Sequence, residues 1–150
     1  MNSFICRACA VLLALVASAL FAQGGLMRGA RYTPDELLWV RTPTGNYQAV
    51  IAGDPSKAGT YAYRTRYPAN FRSAVPHFHN DDRVVTVISG TILVGFGDEF
   101  DESKMKALPA GSVWTEAANQ PHFIWAKDGD VVVQIIGNGP SVLTPVRQKP

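Results

Sequence analysis

An all-β barrel or sandwich is the fold class that the 150-residue sequence predicts, and three observations predict it. Short stretches alternate apolar and polar residues along most of the chain, the period of two that marks half-buried strands. Turn-forming residues separate these stretches, with 13 Gly and 10 Pro scattered rather than clustered. Hydrophobic residues make up 47% and charged residues 17%, which is enough to build a core and too interrupted for a bundle of membrane helices. Fourteen Lys+Arg stand against 12 Asp+Glu, a formal net charge of +2 with no basic run, so nucleic acid is not an expected partner. The same composition excludes collagen-like, coiled-coil and low-complexity chains.

Residues 1–22 read as a secretory signal peptide rather than as part of the fold. Arg7 precedes an uncharged run from Ala8 to Ala22 built on Val11, Leu12, Leu13, Leu15, Val16 and Leu20, and small residues follow. The run is shorter than the roughly 20 residues a spanning helix needs. Cleavage after Ala22 is expected, with Ala17-Ser18-Ala19 as an alternative site and an uncleaved anchor as the alternative fate. The expected location is therefore periplasmic or secreted, with no membrane span after processing. Both cysteines, Cys6 and Cys9, fall inside this segment, so the mature chain of roughly 128 residues holds none and depends on its core for stability.

Residues 23–46 form an expected N-terminal arm with a short helix. Thr33 can cap, Pro34 suits the first helical position and Glu36 closes a capping box, while Leu37, Leu38 and Trp39 supply an apolar face. From residue 47 to 150 the pattern is one of strands. These are expected at Tyr47–Ile51, Tyr61–Tyr67, Ala74–His79, Val84–Ile88, Thr91–Gly97, Ser112–Glu116, His122–Ala126, Val131–Ile136 and Val142–Val146. Ser89-Gly90, Pro109-Ala110-Gly111, Asp128-Gly129 and Gly137-Asn138-Gly139-Pro140 are among the breaks between them. Asp101–Lys106 is compatible with a helical turn.

The chemistry is carried by histidine. The chain has three, of which His77 and His79 lie two apart on an expected strand and so share one face. Two imidazoles entering the same interior can hold one ion, and neutral imidazole is a common ligand for Fe, Zn, Cu or Ni. His122 begins a later strand and only folding can bring it near.

In His77-Phe78-His79, Asn80-Asp81-Asp82, Arg83, six residues and Gly90, followed by Pro109-Ala110-Gly111 and then His122, the chain resembles the cupin superfamily of small β-barrels. The resemblance spans roughly residues 47 to 146. It implies a double-stranded β-helix, or jelly-roll barrel, and a metal site at His77, His79 and His122. One departure stands out: Arg83 occupies the place where the family carries a carboxylate ligand, and an arginine neither ligates a metal nor loses its proton. Three readings remain open. In the first, three histidines hold the metal with open positions for substrate and O2; in the second, Asp82 swings in through a bulge as a fourth ligand; in the third, the metal is lost and the barrel binds an organic ligand. Facing the pocket, Arg83 would hold an anionic substrate group; twisted outward, it would pair with Asp81 or Asp98.

Gln134 is the only polar residue in the run Val131–Ile136, so it is a second candidate for substrate binding or for orienting a ligating histidine, against simple backbone bonding. Glu116 could act as a base or stand at a solvated edge. The resemblance thus implies an exported cupin that binds a divalent metal, Fe(II) in preference to Mn, Ni, Cu or Zn. Its expected activity is that of a mononuclear-metal dioxygenase-like oxidoreductase on a small organic molecule, an anionic one if Arg83 faces the pocket. A non-catalytic ligand- or metal-binding module and a cupin isomerase or decarboxylase are the alternatives. Exposed sheet edges and the arm carrying Leu37, Leu38 and Trp39 suggest a homodimer.

Overall fold

A computed structural model of the chain describes residues 29–73 and 75–147. The expected signal segment, with Cys6 and Cys9, lies outside the described residues. Within them the strands are β1 (Val40–Arg41), β2 (Tyr47–Ala52), β3 (Gly59–Tyr67), β4 (Phe71–Arg72), β5 (His77–His79) and β6 (Arg83–Ser89). They continue as β7 (Thr91–Phe96), β8 (Lys106–Pro109), β9 (Val113–Glu116), β10 (His122–Ala126), β11 (Val131–Gly139) and β12 (Leu143–Pro145). Two antiparallel sheets result, one in the order β1-β2-β3-β11-β6-β9 and the other β12-β5-β10-β7-β8, with β4 added alongside β10. This is the all-β jelly roll that the strand pattern and the cupin resemblance lead one to expect.

Alternation decides what faces the interior. On β11, Val131, Val133 and Ile135 are buried while Val132, Gln134 and Ile136 point the other way. Val85 and Val87 of β6, Ile92 and Val94 of β7, and Ile124 and Ala126 of β10 complete one core between the two sheets, closed by Tyr61 and Tyr63 of β3. Each large apolar side chain buried this way contributes about 1.5–3 kcal/mol. Gly90 makes the tight connection from β6 to β7: it has φ +77°, and a Cβ on it would lie 2.5 Å from the backbone oxygen of Asp130.

Most strands fall where the pattern places them, and the differences have local causes. Of the strand expected at Ala74–His79, the described part pairs only over His77–His79, where the chain has passed Pro76, which has no N–H to give a ladder. β1, β4 and β8 were not visible as alternation, being two to four residues long. The N-terminal helix is a single 3-10 turn, Pro34–Glu36, with the Glu36 carboxylate accepting from the Thr33 N–H at 2.7 Å. Leu37 packs inward and Trp39 lies over the Arg66 guanidinium, whereas Leu38 is 85% exposed and takes no part in an apolar face. Asp101–Lys106 contains a second 3-10 turn, Glu102–Lys104, started by the Asp101 carboxylate accepting from Ser103 N–H.

Candidate metal centre

The two motif strands meet because β5 and β10 are neighbours, with His77 directly opposite His122. Parity puts His79 on the same face as His77, and the three rings gather with centroids 4.5 Å (His77–His122), 5.4 Å (His77–His79) and 5.8 Å (His79–His122) apart. Their candidate ligand atoms all lie within 4.8 Å of one another. The turn that delivers His122 is Ala117–Gln120, where Asn119 has φ +62° and donates its N–H to the His79 carbonyl at 2.6 Å. Pro109-Ala110-Gly111, expected as a break between strands, makes the turn between β8 and β9, with Ser112 N–H donating to the Pro109 carbonyl.

The rings are prepared as neutral ligands. Burial, helped by repulsion from His122, takes the His77 pKa down to about 4. Burial and the neighbouring Arg83 charge take His79 down to about 2. His122, 1% exposed, is lowered by burial against the opposing pull of Glu116. The Nδ1 atom of His79 is buried and has no hydrogen-bond partner among the described residues, an orphaned donor or acceptor of the kind that metal sites contain. Three neutral imidazoles converging in a buried site suit a divalent transition-metal ion.

Beside the histidines lies an ion pair that spacing alone does not disclose. Arg83 on β6 and Glu116 on β9 are register partners, and both are buried. Arg83 donates to Glu116 Oε2 from Nε at 2.8 Å and also from Nη2, and its Nη1 donates to the Tyr63 hydroxyl at 3.2 Å. Glu116 Oε1 accepts from the Trp114 indole N–H at 3.0 Å and lies 3.3 Å from His122 Nε2. Burial disfavours the Glu116 carboxylate, but Arg83 and His122 outweigh it and hold its pKa below the ordinary value. The Arg83 charge is likewise opposed by burial and sustained above its ordinary pKa by Glu116.

Several expectations are corrected by this arrangement. Arg83 faces the site, yet its partner is Glu116, not Asp81 or Asp98, so its charge is already answered. Glu116 is not a solvated edge residue: β9 is an edge strand, but the Glu116 side chain turns inward. Asp82 does not swing toward the histidines; it is exposed and its carboxylate accepts from Ala118 N–H at 2.8 Å. Gln134 is not brought to the site either. It shares the outer face of β11 with Val132 and Ile136, and its Oε1 accepts from Arg64 Nε at 3.2 Å. Glu116 and Tyr63 are the site residues that the motif spacing did not assign; the one local signal was the i, i+2 spacing of Trp114 and Glu116 on β9, which puts that pair on a common face.

The histidines and the ion pair border a cavity of about 280 Å³ between the sheets. Tyr67, Phe71, Val75, Trp114, Ile135 and Leu143 give it apolar walls, and Thr44, Asn46 and Gln48 give it a polar end. Such a chamber suits a small organic molecule.

No family model and no curated protein matches the sequence. Solved structures do match in fold. The polyketide cyclase RemF from Streptomyces resistomycificus is similar with a TM-score of 0.67 at 13% identity, over 81% of this chain and 88% of its own. KdgF from Halomonas sp. matches with a TM-score of 0.59 at 18% identity, over 75% and 96%. An RmlC-like cupin from Shewanella frigidimarina matches with a TM-score of 0.58 at 12% identity, over 76% and 95%.

Proposed function

The chain has the cupin fold, and on that premise we propose that it is an exported metal-dependent enzyme of the dioxygenase kind, acting on a small organic molecule held in the cavity between its sheets. The observation that carries this reading is the convergence of His77, His79 and His122 at the wall of an apolar chamber. Three protein ligands leave coordination positions open, the mark of a working site rather than a closed structural one. A divalent ion held there supplies Lewis acidity and, if it is Fe(II), access to the chemistry of O2.

The chain's own groups have defined tasks. The three imidazoles are neutral at neutral pH, as ligands must be. Glu116, kept ionised by Arg83, places a fixed negative charge beside His122 and can accept a proton at Oε1. Tyr67, Phe71, Ile135 and Leu143 give the cavity apolar surface against which an organic molecule can pack. Because Arg83 is neutralised within the wall, the cavity favours an uncharged, enolic or phenolic molecule over a carboxylate. Export is supported by the signal-like residues 1–22, and a homodimer by the exposed Leu38 and by Val40 on edge strand β1; among the described residues no helix is long and apolar enough to cross a membrane.

A second reading draws on the neighbours: they include a polyketide cyclase and a protein described as a sugar phosphate isomerase, so a non-oxidative reaction at the same centre is the competing case. Metal analysis of the exported protein, combined with oxygen uptake on neutral enols and phenols, separates the two. Stoichiometric metal with oxygen consumption supports the dioxygenase reading. Turnover without oxygen uptake moves the assignment to isomerisation or cyclisation, and protein that takes up no metal under replete conditions defeats both.

A further inference from the structure

We propose that the Tyr63 hydroxyl is a substrate-binding donor, which gives its hydrogen bond to a carbonyl oxygen of the uncharged molecule held in the cavity. The assignment rests on the reading of that cavity as a small-molecule chamber, and it narrows the substrate class.

The hydrogen bonds around the ion pair single out this hydroxyl. Arginine only donates, so the 3.2 Å contact between Arg83 Nη1 and the Tyr63 oxygen uses the phenol as an acceptor. The phenol proton is still to be placed, and no group among the described residues accepts it. Neighbouring donors are spent: Trp114 gives its indole N–H to Glu116, and Tyr61 gives its hydroxyl to Asp81. Tyr63 is 8% exposed and stacks on Tyr61 with ring centroids 5.6 Å apart, which holds its ring in place. Buried hydroxyls find partners, and the space this residue lines is the cavity.

Register puts the hydroxyl where two surfaces meet. Tyr63, Ile135, Val85 and Trp114 stand opposite one another on β3, β11, β6 and β9, and all of them line the cavity. The next row facing the same way carries Arg83 and Glu116. A molecule packed on the apolar row has the Tyr63 hydroxyl on the side where the polar row begins. Burial pushes the Tyr63 pKa up, against the pull of Arg83, so the group keeps its proton at neutral pH. Arg83, donating to the phenol oxygen, polarises the O–H and strengthens it as a donor. Among uncharged molecules, a carbonyl compound offers this donor a lone pair, whereas a hydrocarbon of the same shape leaves it unpaired. An enolisable ketone joins that preference to the enolic chemistry proposed above.

The probes are acetophenone and ethylbenzene, one aromatic skeleton with and without the carbonyl oxygen, bound to the full chain after a chelator has removed metal. Calorimetry gives the affinities, and isotope-edited infrared difference spectra give the carbonyl band of bound acetophenone. Tyr63→Phe is expected to weaken acetophenone relative to ethylbenzene by at least about twofold and up to about tenfold. It is also expected to raise the carbonyl frequency of the bound ketone. A relative change below about twofold, an unmoved band, or a loss shared equally by both probes overturns the proposal and leaves Tyr63 a structural partner of Arg83. If the variant does not fold, the wild type decides alone: a bound carbonyl band below that of acetophenone in hexane supports the assignment, and one no lower overturns it. Wild type that binds neither probe defeats the small-molecule reading of the cavity itself, whereas binding of both with an unlowered band defeats only the assignment of Tyr63.

Discussion

The guanidinium of Arg83 and the carboxylate of Glu116 form a buried ion pair across adjacent strands, each side chain 5% exposed. Such a pair is costly to break from one side. Arg83→Met leaves the Glu116 charge without its partner, and the metal-free protein is expected to lose about 3–5 kcal/mol in urea unfolding. Replacing both residues, Arg83→Met with Glu116→Leu, removes the unpaired charge and should recover most of that loss. If the double variant is no more stable than the single one, the pair does not carry the charge balance of the site.

The depressed histidine pKa values give a directional pH prediction. In the unfolded chain His77 and His79 take up protons near pH 6.5, whereas the folded chain resists until about pH 4 for His77 and about pH 2 for His79. Between pH 6.5 and 4 the unfolded state therefore binds more protons, and the stability of the metal-free protein falls as the pH is lowered through that window. Thermal melts of metal-free wild type at pH 7, 5.5 and 4.5 should show a steady decline in Tm, and His77→Ala should flatten part of it. The same burial means that acid release of bound metal should begin below the pH expected of exposed histidines. His77→Ala, His79→Ala and His122→Ala should each deplete bound metal at neutral pH, measured by elemental analysis.

Packing against Gly95 on β7 gives a third expectation. A Cβ at this position would lie 2.3 Å from the Phe123 ring, which is fully buried on the neighbouring strand β10 and packs against Phe100. Gly95→Ala should therefore cost about 1–3 kcal/mol, the usual range for overpacking a filled core. Unfolding at equilibrium checks it, and Phe123→Leu combined with Gly95→Ala should return part of the loss by making room.

What could be read from the sequence divides along a physical line. Local pattern exposed β2, β3, β6, β7, β10 and β11, since each runs for five residues or more between turn-forming residues. His77 and His79 were legible because parity alone puts them on one face. Their meeting with His122 was legible only through the resemblance, because it depends on β5 lying against β10. The role of Glu116 was hidden for the same reason: its partner sits 33 positions earlier, and only the register of β6 against β9 joins them. Gln134 failed in the opposite sense. A polar residue in an apolar run looked buried, but strand parity with Val133 and Ile135 sends it outward to Arg64.

The last prediction concerns the loop between His79 and Arg83, which carries Asp81. Its carboxylate accepts from the Tyr61 hydroxyl at 2.5 Å and from Ser141 Oγ at 2.7 Å, tying the loop to β3 and to the segment before β12. Gly137 on β11 makes space for this contact, since a Cβ there would lie 2.3 Å from the Tyr61 hydroxyl oxygen and 2.6 Å from Asp81 Oδ2. Tyr61→Phe removes a hydrogen bond to a charged group and should cost about 1.5–3 kcal/mol. Gly137→Ala should also destabilise, by forcing the hydroxyl and the carboxylate aside. The two changes share one contact, so their effects should not add: with the hydroxyl gone, the new methyl has one fewer atom to displace. A double-mutant cycle in urea should return a combined loss smaller than the sum of the single losses. Strict additivity would show that Gly137 and the Tyr61 hydroxyl are energetically independent, and would remove the argument for a glycine at that place.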